Sequence, residues 1–509
     1  MPAIQGMQLV LLTIAVSFGI FMNVLDSAIA NVAIPTIAGN MAVSADEGTW
    51  VITSFTVTTA IVLPLTGWLS KRFGEVRLFV VSTALFTLAS ILCGLSNSLA
   101  MLVLCRVFQG AVAGPMIPLS LSLLLANYPS DKKGLATALW STVAVAAPVL
   151  GPILGGYLTD EYSWPWIFYI NVPVGVLSVV LTWRILKDRE TETIKVPIDF
   201  VGLILLALGI GCLQVLLDKG QDLDWFNSDV ILILGSISLV CICFLVTWEL
   251  TAKHPIVDLT LFKERNFAVG TVAISLGYMV FFGSVVVLPL WLQTQMNYTP
   301  TWAGLATAPI GVIPFFLSFL IGRILGIVDL RILTSFGFLV FALCSYVIST
   351  FDTSITVENV AWIRFVQGLG VPFFFIPLTT MILSHIPNQA LASASGLSNF
   401  TRILAGSLGT SISVALWNRR EALHQSQLVE NLPVFSENLN QTMTQLEAQG
   451  LSEPASYAAI LKTVVNQAYM LATNDVFWLA GNIFLGLVVF VWLAKPPFMT
   501  GGSVRVVAE

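Results

Sequence analysis

Charge is what this sequence has least of. Only 10% of its 509 residues are Asp, Glu, Lys or Arg, where a water-soluble domain carries roughly 25%. A surface built from so few charges cannot face water, so most of the outside faces lipid. Histidine is scarce too: His254, His385 and His424 are scattered, which argues against a zinc or other metal enzyme. The six cysteines (Cys93, Cys105, Cys212, Cys241, Cys243 and Cys344) fall in apolar runs without metal-site spacing, and buried free thiols are expected. No glycine-rich loop ending in Lys-Ser/Thr is present, so the chain carries no nucleotide-hydrolysing site of that kind. No basic patch points to nucleic acid. No motif calls for a cofactor, and the residues before Leu9 lack the basic start of a cleaved leader, so the first apolar run reads as a retained span.

What is present is hydrophobic length. Of all residues 56% are apolar, and the mean hydropathy is +0.88. Runs of about 20 residues, enough to cross roughly 30 Å of hydrocarbon, recur throughout. Spans are expected near 9–35, 50–70, 78–95, 99–126, 135–158, 167–186, 200–217, 230–250, 267–292, 302–325, 331–350, 360–384, 391–417 and 476–494. Sixteen of the 23 basic residues fall in alternate loops and the last tail: Lys71, Arg72, Arg77, Lys132, Lys133, Arg184, Lys187, Arg189, Lys195, Lys253, Lys263, Arg265, Arg323, Arg331, Lys495 and Arg505. The positive-inside rule then places both termini in the cytoplasm.

The sequence also repeats. Leu104-Cys-Arg-Val-Phe-Gln-Gly110 matches Trp362-Ile-Arg-Phe-Val-Gln-Gly368, Thr49-Trp50 matches Thr301-Trp302, and Leu135-Ala-Thr137 matches Leu391-Ala-Ser393. The near-constant offset predicts an all-α integral membrane fold of two six-helix halves in parallel repeat, with two inserted central helices. The expected division is residues 1–187, an insert at 188–266, a second half at 267–494 containing a polar loop at 419–474, and a tail at 495–509. Within that loop a helix is expected to start at Ser452-Glu-Pro454. The loop reads either as a solvated cap or as a docking surface for another protein.

Few residues in the spans can do chemistry. Asp26 is the only ionisable side chain before Asp46. A charge at such depth costs at least ~2.5–3.5 kcal/mol and faces a cavity or a partner. Burial penalises the charged form, which suits Asp26 to carrying a proton; the other reading is a static tether between helices. Arg106 lies at similar depth, cannot shed its proton, and shares a turn with Gln109. Asn23 and Asn31 flank Asp26, and Arg364 with Gln367 repeats the Arg106 pattern in the second half. These four and Gln109 are the candidate cavity residues. Pro148, Gly151, Pro152, Gly155 and Gly156 read as a hinge or a tight seal between halves. Gly67, Lys71, Arg72, Gly74 and Arg77 form a tight basic loop whose cations are placed to bond helix C-termini. Trp164-Pro-Trp-Ile-Phe168 reads as an aromatic belt.

Together these motifs resemble the major facilitator superfamily, and within it the fourteen-span drug:proton antiporters. The likeness rests on Leu25-Asp-Ser-Ala-Ile-Ala-Asn-Val-Ala-Ile-Pro35, the loop 67–77, Arg106-Val-Phe-Gln-Gly110 and Gly151-Pro-Ile-Leu-Gly-Gly156. It extends to Trp166-Ile-Phe-Tyr-Ile-Asn-Val-Pro-Val-Gly175 and Ser398-Asn-Phe-Thr-Arg402. The loop 67–77 departs from the superfamily pattern, carrying Lys71 where an aspartate is usual. The resemblance implies a proton-coupled exporter of lipophilic drugs, with Asp26 coupling protons and Arg106 supporting it. It also implies a periplasmic membrane-fusion adaptor and an outer-membrane channel as partners, and hence a Gram-negative inner membrane. From the residues alone, a nutrient symporter or uniporter stays open, as does a membrane-embedded enzyme or scaffold.

Overall fold

Prolines, glycines and capping side chains divide the apolar sequence into long helices. The computed structural model describes residues 4–498 except 5, 44, 130–131, 195–196, 198, 221–222, 253–254, 299, 431–436 and 450. No strand occurs among the described residues. Lys195, Lys253 and Arg505 of the charge pattern lie outside them, as does His254. The helices are α1 (Met7–Asn40), α2 (Trp50–Phe73), α3 (Glu75–Gly94), α4 (Leu99–Asn127), α5 (Lys133–Glu161), α6 (Trp166–Leu186) and α7 (Phe200–Lys219). They continue as α8 (Asp229–Thr251), α9 (Arg265–Thr294), α10 (Trp302–Ile324), α11 (Leu330–Ile348), α12 (Val357–Leu383), α13 (Leu391–Glu430) and α14 (Glu453–Leu493). Twelve are long and apolar enough to cross a bilayer. The other two, α5 and α13, pack along α1 and α9.

Local chemistry sets the boundaries. Ser98 caps α4 by accepting from Met101 N at 3.3 Å, and Asp199 caps α7 by accepting from Gly202 N at 3.0 Å. Gly74, at φ +88°, ends α2 and starts α3 in a conformation other residues rarely adopt. The expected spans agree with the helices within a few residues until α13. There the polar stretch 419–474 is largely helical rather than an open loop: α13 runs on to Glu430, a separate helix covers Glu437–Ala448, and α14 begins at Glu453. The α13–α14 pair is pinned by Trp417, which donates to Thr473 at 2.8 Å and stacks on Tyr469, and by Asp475 beside Arg420 and His424.

Packing follows the repeat. The α1–α5 contact recurs as α9–α13, α2–α4 as α10–α12, α3–α6 as α11–α14, and α1–α6 as α9–α14. Between the halves, α5 packs on α10 and α12, and α13 packs on α2 and α4. Small residues allow this: a Cβ on Gly67 would lie 2.7 Å from Ser393 Cβ, and one on Gly322 would lie 2.6 Å from Ala138 Cβ. Both contacts sit on the face that carries Lys71, Arg72, Lys132, Lys187 and Lys263, called the basic face below. One continuous apolar core occupies that side and joins residues of both halves, among them Leu12, Ile117, Trp140, Phe267, Phe375 and Leu391. Trp140 of α5 stacks on Phe375 of α12 at 5.9 Å. On the opposite side the core divides, with Ile29, Ile37, Val51 and Leu102 in one half and Val287, Trp291, Ala303 and Val360 in the other. The two halves are thus fused at the basic face and separately packed at the other.

This geometry makes a prediction. A valine at position 67 fits only if α2 parts from α13, so Gly67→Val is expected to shift the protein away from the basic-face-closed arrangement. In that background, a cysteine at Ser393 should react faster with a membrane-impermeant maleimide applied to the basic face. An unchanged labelling rate would show that the Gly67 contact does not control closure.

Candidate functional site

Among the described residues, the first half holds one charged pair in its interior. Asp26 of α1 and Arg106 of α4 are both 0% exposed and form an ion pair through Arg106 Nη1. Gln109, one turn on, accepts from Arg106 Nη1 at 2.8 Å and donates Nε2 to Asp26 Oδ1 at 3.2 Å. Asn171 of α6 donates to the same Oδ1 at 2.9 Å. Both amides also donate to Ser90 Oγ of α3, at 2.9 and 3.2 Å. Every hydrogen-bond partner of Asp26 described here donates, as a carboxylate requires. The guanidinium bonds Val51 O of α2 at 2.9 Å, and its centre lies 4.2 Å from the Phe55 ring and 5.6 Å from Phe168. Its Nη2 has no hydrogen-bond partner among the described residues. Five helices therefore converge on one carboxylate, and two aromatic rings cover its cation.

Asp26 thus meets partners within the first half rather than an open cavity. Asn23, the neighbouring candidate, donates to Ala113 O of α4 at 2.8 Å and is likewise buried. The Asn31 side chain lies outside the described residues. In the second half, Arg364 Nη1 donates to Gln367 at 2.7 Å and Nη2 to Ser284 O at 3.3 Å. No acid is among its described partners; Arg364 Nε and Gln367 Nε2 are buried without partners. Asn23, Gln109, Arg364 and Gln367 thus lie between helices in this conformation and do not line an open chamber. Arg402 lies over Tyr278 and Phe375 at 4.8 and 4.9 Å and bonds Asn399, which places it behind the Trp140–Phe375 stack.

Gly151 and Gly155 of α5 pack within the first half, against α1. A Cβ on Gly151 would lie 2.5 Å from Ala28 Cβ, and one on Gly155 would lie 2.9 Å from Ile29 O. Residues four apart share one helix face, and that face lies against α1 just past Asp26. Gly156 has open space around it. The side chains of Pro148 and Pro152 lie outside the described residues, and the helix runs through both. Within Trp164–Phe168 only Trp166 is exposed; Trp164 and Phe168 turn inward, the latter toward Arg106.

The basic loop is organised by an acid from elsewhere in the chain. Glu190, after α6, accepts from Val76 N at 3.0 Å and Arg77 N at 2.8 Å and so caps α3. It also lies 3.9 Å from Arg77 Nε. A Cβ on Gly74 would collide with this carboxylate at 2.3 Å. Lys71 lends its carbonyl to Ile194 N at 2.8 Å, and Arg72 lies over Trp68 at 5.5 Å. Lys71 and Arg72 lie in the last turn of α2, where the dipole favours cations, and the Glu190 anion caps the N-terminus of α3, where it favours an anion.

Two members of the Asp26 network escaped the sequence reading. Asn171 carried a signal, a lone amide in an apolar span, but Ser90 carried none, because serines are common in such helices. All six cysteines are free, yet only Cys93 and Cys344 are buried, and Cys243 is exposed.

The pair's energetics are testable. Removing one partner of a buried pair costs about 3–5 kcal/mol, because the other charge is left uncompensated. Asp26→Asn and Arg106→Ala should each lower the thermal midpoint, and the double variant should lose less than the sum by about 1–3 kcal/mol. Strict additivity in a melting series would show that the two charges do not support each other.

Comparison with known proteins gives a consistent result. Residues 16–410 match the sequence profile of the Major Facilitator Superfamily. The chain is 53% identical over 501 residues to the multidrug export protein EmrB of Escherichia coli (strain K12), covering 98% of each. It is 49% identical over 502 residues to the fatty acid resistance protein FarB of Neisseria gonorrhoeae, covering 99% of each. Among solved structures it superimposes on the proton:xylose symporter XylE with a TM-score of 0.59 at 15% identity, covering 95% of each chain. The human organic anion transporter MFSD10 gives 0.58 at 12% identity, covering 96% of this chain and 100% of that one. The two solved structures speak to the fold alone.

Proposed function

The chain belongs to the major facilitator superfamily, and on that premise we propose that it is a drug:proton antiporter exporting lipophilic toxic compounds. The observation that carries the reading is the Asp26–Arg106 pair, the one ion pair among the described residues with both side chains wholly buried. Close likeness to a protein named for multidrug export supplies the substrate class.

In this reading the basic face is cytoplasmic, both termini lie there, and the membrane is a Gram-negative inner membrane. The conformation with the basic face sealed is then the outward-facing one. A proton entering from outside neutralises Asp26, and Arg106 is then held by the carbonyl and aromatic ring that α2 already gives it, Val51 O and Phe55. The halves rock about the seam, the Gly67–Ser393 and Gly322–Ala138 contacts part, and drug enters as the proton leaves. A charge crossing 100 mV is worth about 2.3 kcal/mol, so about 150 mV supplies ~3.5 kcal/mol. At about 1.4 kcal/mol per decade, that sustains two to three decades of drug gradient without nucleotide hydrolysis. A periplasmic membrane-fusion adaptor and an outer-membrane channel complete the route, and the helix Glu437–Ala448 with its flanks is the proposed docking site for the adaptor.

Dye efflux from cells with and without a protonophore tests the central claim. Efflux that collapses with protonophore supports antiport; inward movement of the same compounds supports the symporter alternative and overturns this one. Asp26→Asn is expected to abolish coupled efflux while the protein still inserts, and Arg106→Lys to be poor. Normal efflux by Asp26→Asn in vesicles under an imposed pH gradient would remove Asp26 as carrier. Deleting part of 421–450 should weaken adaptor capture in a pull-down, and unchanged capture would leave that segment as a solvated cap.

A further inference from the structure

The inserted helix α7 is wedged between the halves and hydrogen-bonded to both. Toward α2, Lys219 donates to Thr49 Oγ1 at 2.8 Å, and the Thr53 hydroxyl bonds the Asp218 carboxylate. Toward α13, Gln214 Nε2 donates to Ser407 Oγ at 2.7 Å, and Ser411 Oγ donates to Leu217 O at 2.9 Å. Gln214 Nε2 also reaches Asp218 Oδ1 at 3.4 Å. A chain of polar contacts thus runs from Thr53 through Asp218 and Gln214 to Ser407, linking one half to the other. Where the halves touch directly at the basic face, by contrast, Gly67, Gly322, Trp140 and Phe375 meet their partners by packing.

Two features give this chain chemical direction. Gln214 is 1% exposed, and its Oε1 has no partner. A buried acceptor left empty costs about 1–3 kcal/mol, and it sits on the amide that already faces Asp218. Thr53 lies on α2 between Val51 and Phe55, the two residues that hold Arg106. Two residues along a helix is about 200° around it, so α2 separates the two acids and touches both networks.

We propose that Asp218 is a second proton-binding residue of the transport cycle and that Gln214 transmits its charge state to α13. This rests on the antiport reading above and adds a site to it. With Asp218 ionised, the carboxylate accepts from Thr53 and Gln214, and the amide holds Ser407. A proton taken from the water on the opposite face makes Asp218 a donor. Its new O–H bonds the empty Gln214 Oε1, the amide turns, and the bond to Ser407 breaks, loosening α13 from α7, where the Ser411–Leu217 bond then stands alone among the side-chain bonds described above. Return of the proton to water restores the clasp. The charged neighbour bearing on Asp218 is Lys219. Of the elements packed on α7, α2 has no ionisable side chain between Trp50 and Ser70, and α13 has none between Arg402 and Arg419. The third, α8, carries Asp229 in its first turn, Cys241 and Cys243 midway, and Glu249 near its end.

The test measures distance rather than transport. Spin labels on cysteines introduced at Leu223 and Arg419, in a protein otherwise free of cysteine, report the separation of α7 from α13 as pH is lowered. Asp26→Asn serves as background, so the central pair cannot contribute. The expected result is a longer separation at low pH, lost in Asp218→Asn. Ser407→Ala, which keeps the carboxylate, should give the long separation at every pH. A pH response that survives Asp218→Asn overturns the proposal. So does an unaltered response in Ser407→Ala, which decides the matter if the first variant does not fold. A response already absent in the Asp26→Asn background assigns it to the central pair and also overturns it. Failure of the antiport reading registers separately, as wild-type efflux indifferent to a protonophore.

Discussion

The structure of the first half is organised around one unfavourable act, burying a carboxylate and a guanidinium where no water reaches them. Each charge alone would be costly in the bilayer. Together they are tolerable only if the remaining lone pairs and protons find partners. That requirement explains why α1, α2, α3, α4 and α6 each send a group to the same point: Asp26, Val51 O, Ser90, Arg106 with Gln109, and Asn171. The close approach of α5 to α1 at Gly151 and Gly155 then holds Asp26 in register from behind. Packing and electrostatics are here a single constraint, because α1 cannot shift without breaking both.

The helix placed to relay a change in that pair is α2. Near one end it gives a carbonyl and a ring to Arg106; near the other, Gly67 lies against Ser393 of α13. A 3₁₀ segment at Leu63–Leu65, around Pro64, interrupts the α-helical ladder between them. A rigid rod with a soft joint connects the charge pair to the seam between the halves.

Most of the fold was legible because bilayer thickness and charge asymmetry act on every span alike. The repeated Arg-x-x-Gln and the glycine spacings were visible for the same reason: they are local. Legibility failed where the deciding contact joins distant residues. Glu190 caps α3 from beyond α6, and nothing around Lys71 announces it. The polar stretch after Trp417 looked like a loop because its residues suit water. It is helical because Trp417, Tyr469 and Asp475 bring α13 and α14 together. Asp26 and Arg106 were conspicuous as rare charges, but their orientation was not. Rarity marks a charged residue for attention, while only packing decides whether it faces a chamber or a partner.

The two halves repeat in backbone but not in charge, and that difference gives the molecule a direction. Arg364 and Gln367 occupy the places of Arg106 and Gln109, yet Arg364 meets a backbone carbonyl, Ser284 O, where Arg106 meets a carboxylate. Arg402 likewise rests on aromatic faces and an amide. An arginine cannot be deprotonated under ordinary conditions, so the buried arginines of the second half, with no acid among their described partners, keep a fixed charge. In the antiport reading the half with Asp26 changes its own. In the antiport reading one of two pseudo-equivalent bundles alternates between charge states and the other does not, and the energy of the seam between them then depends on the proton sites of one side. A protonation step on one side then biases a rocking motion that symmetric packing alone would leave evenly balanced.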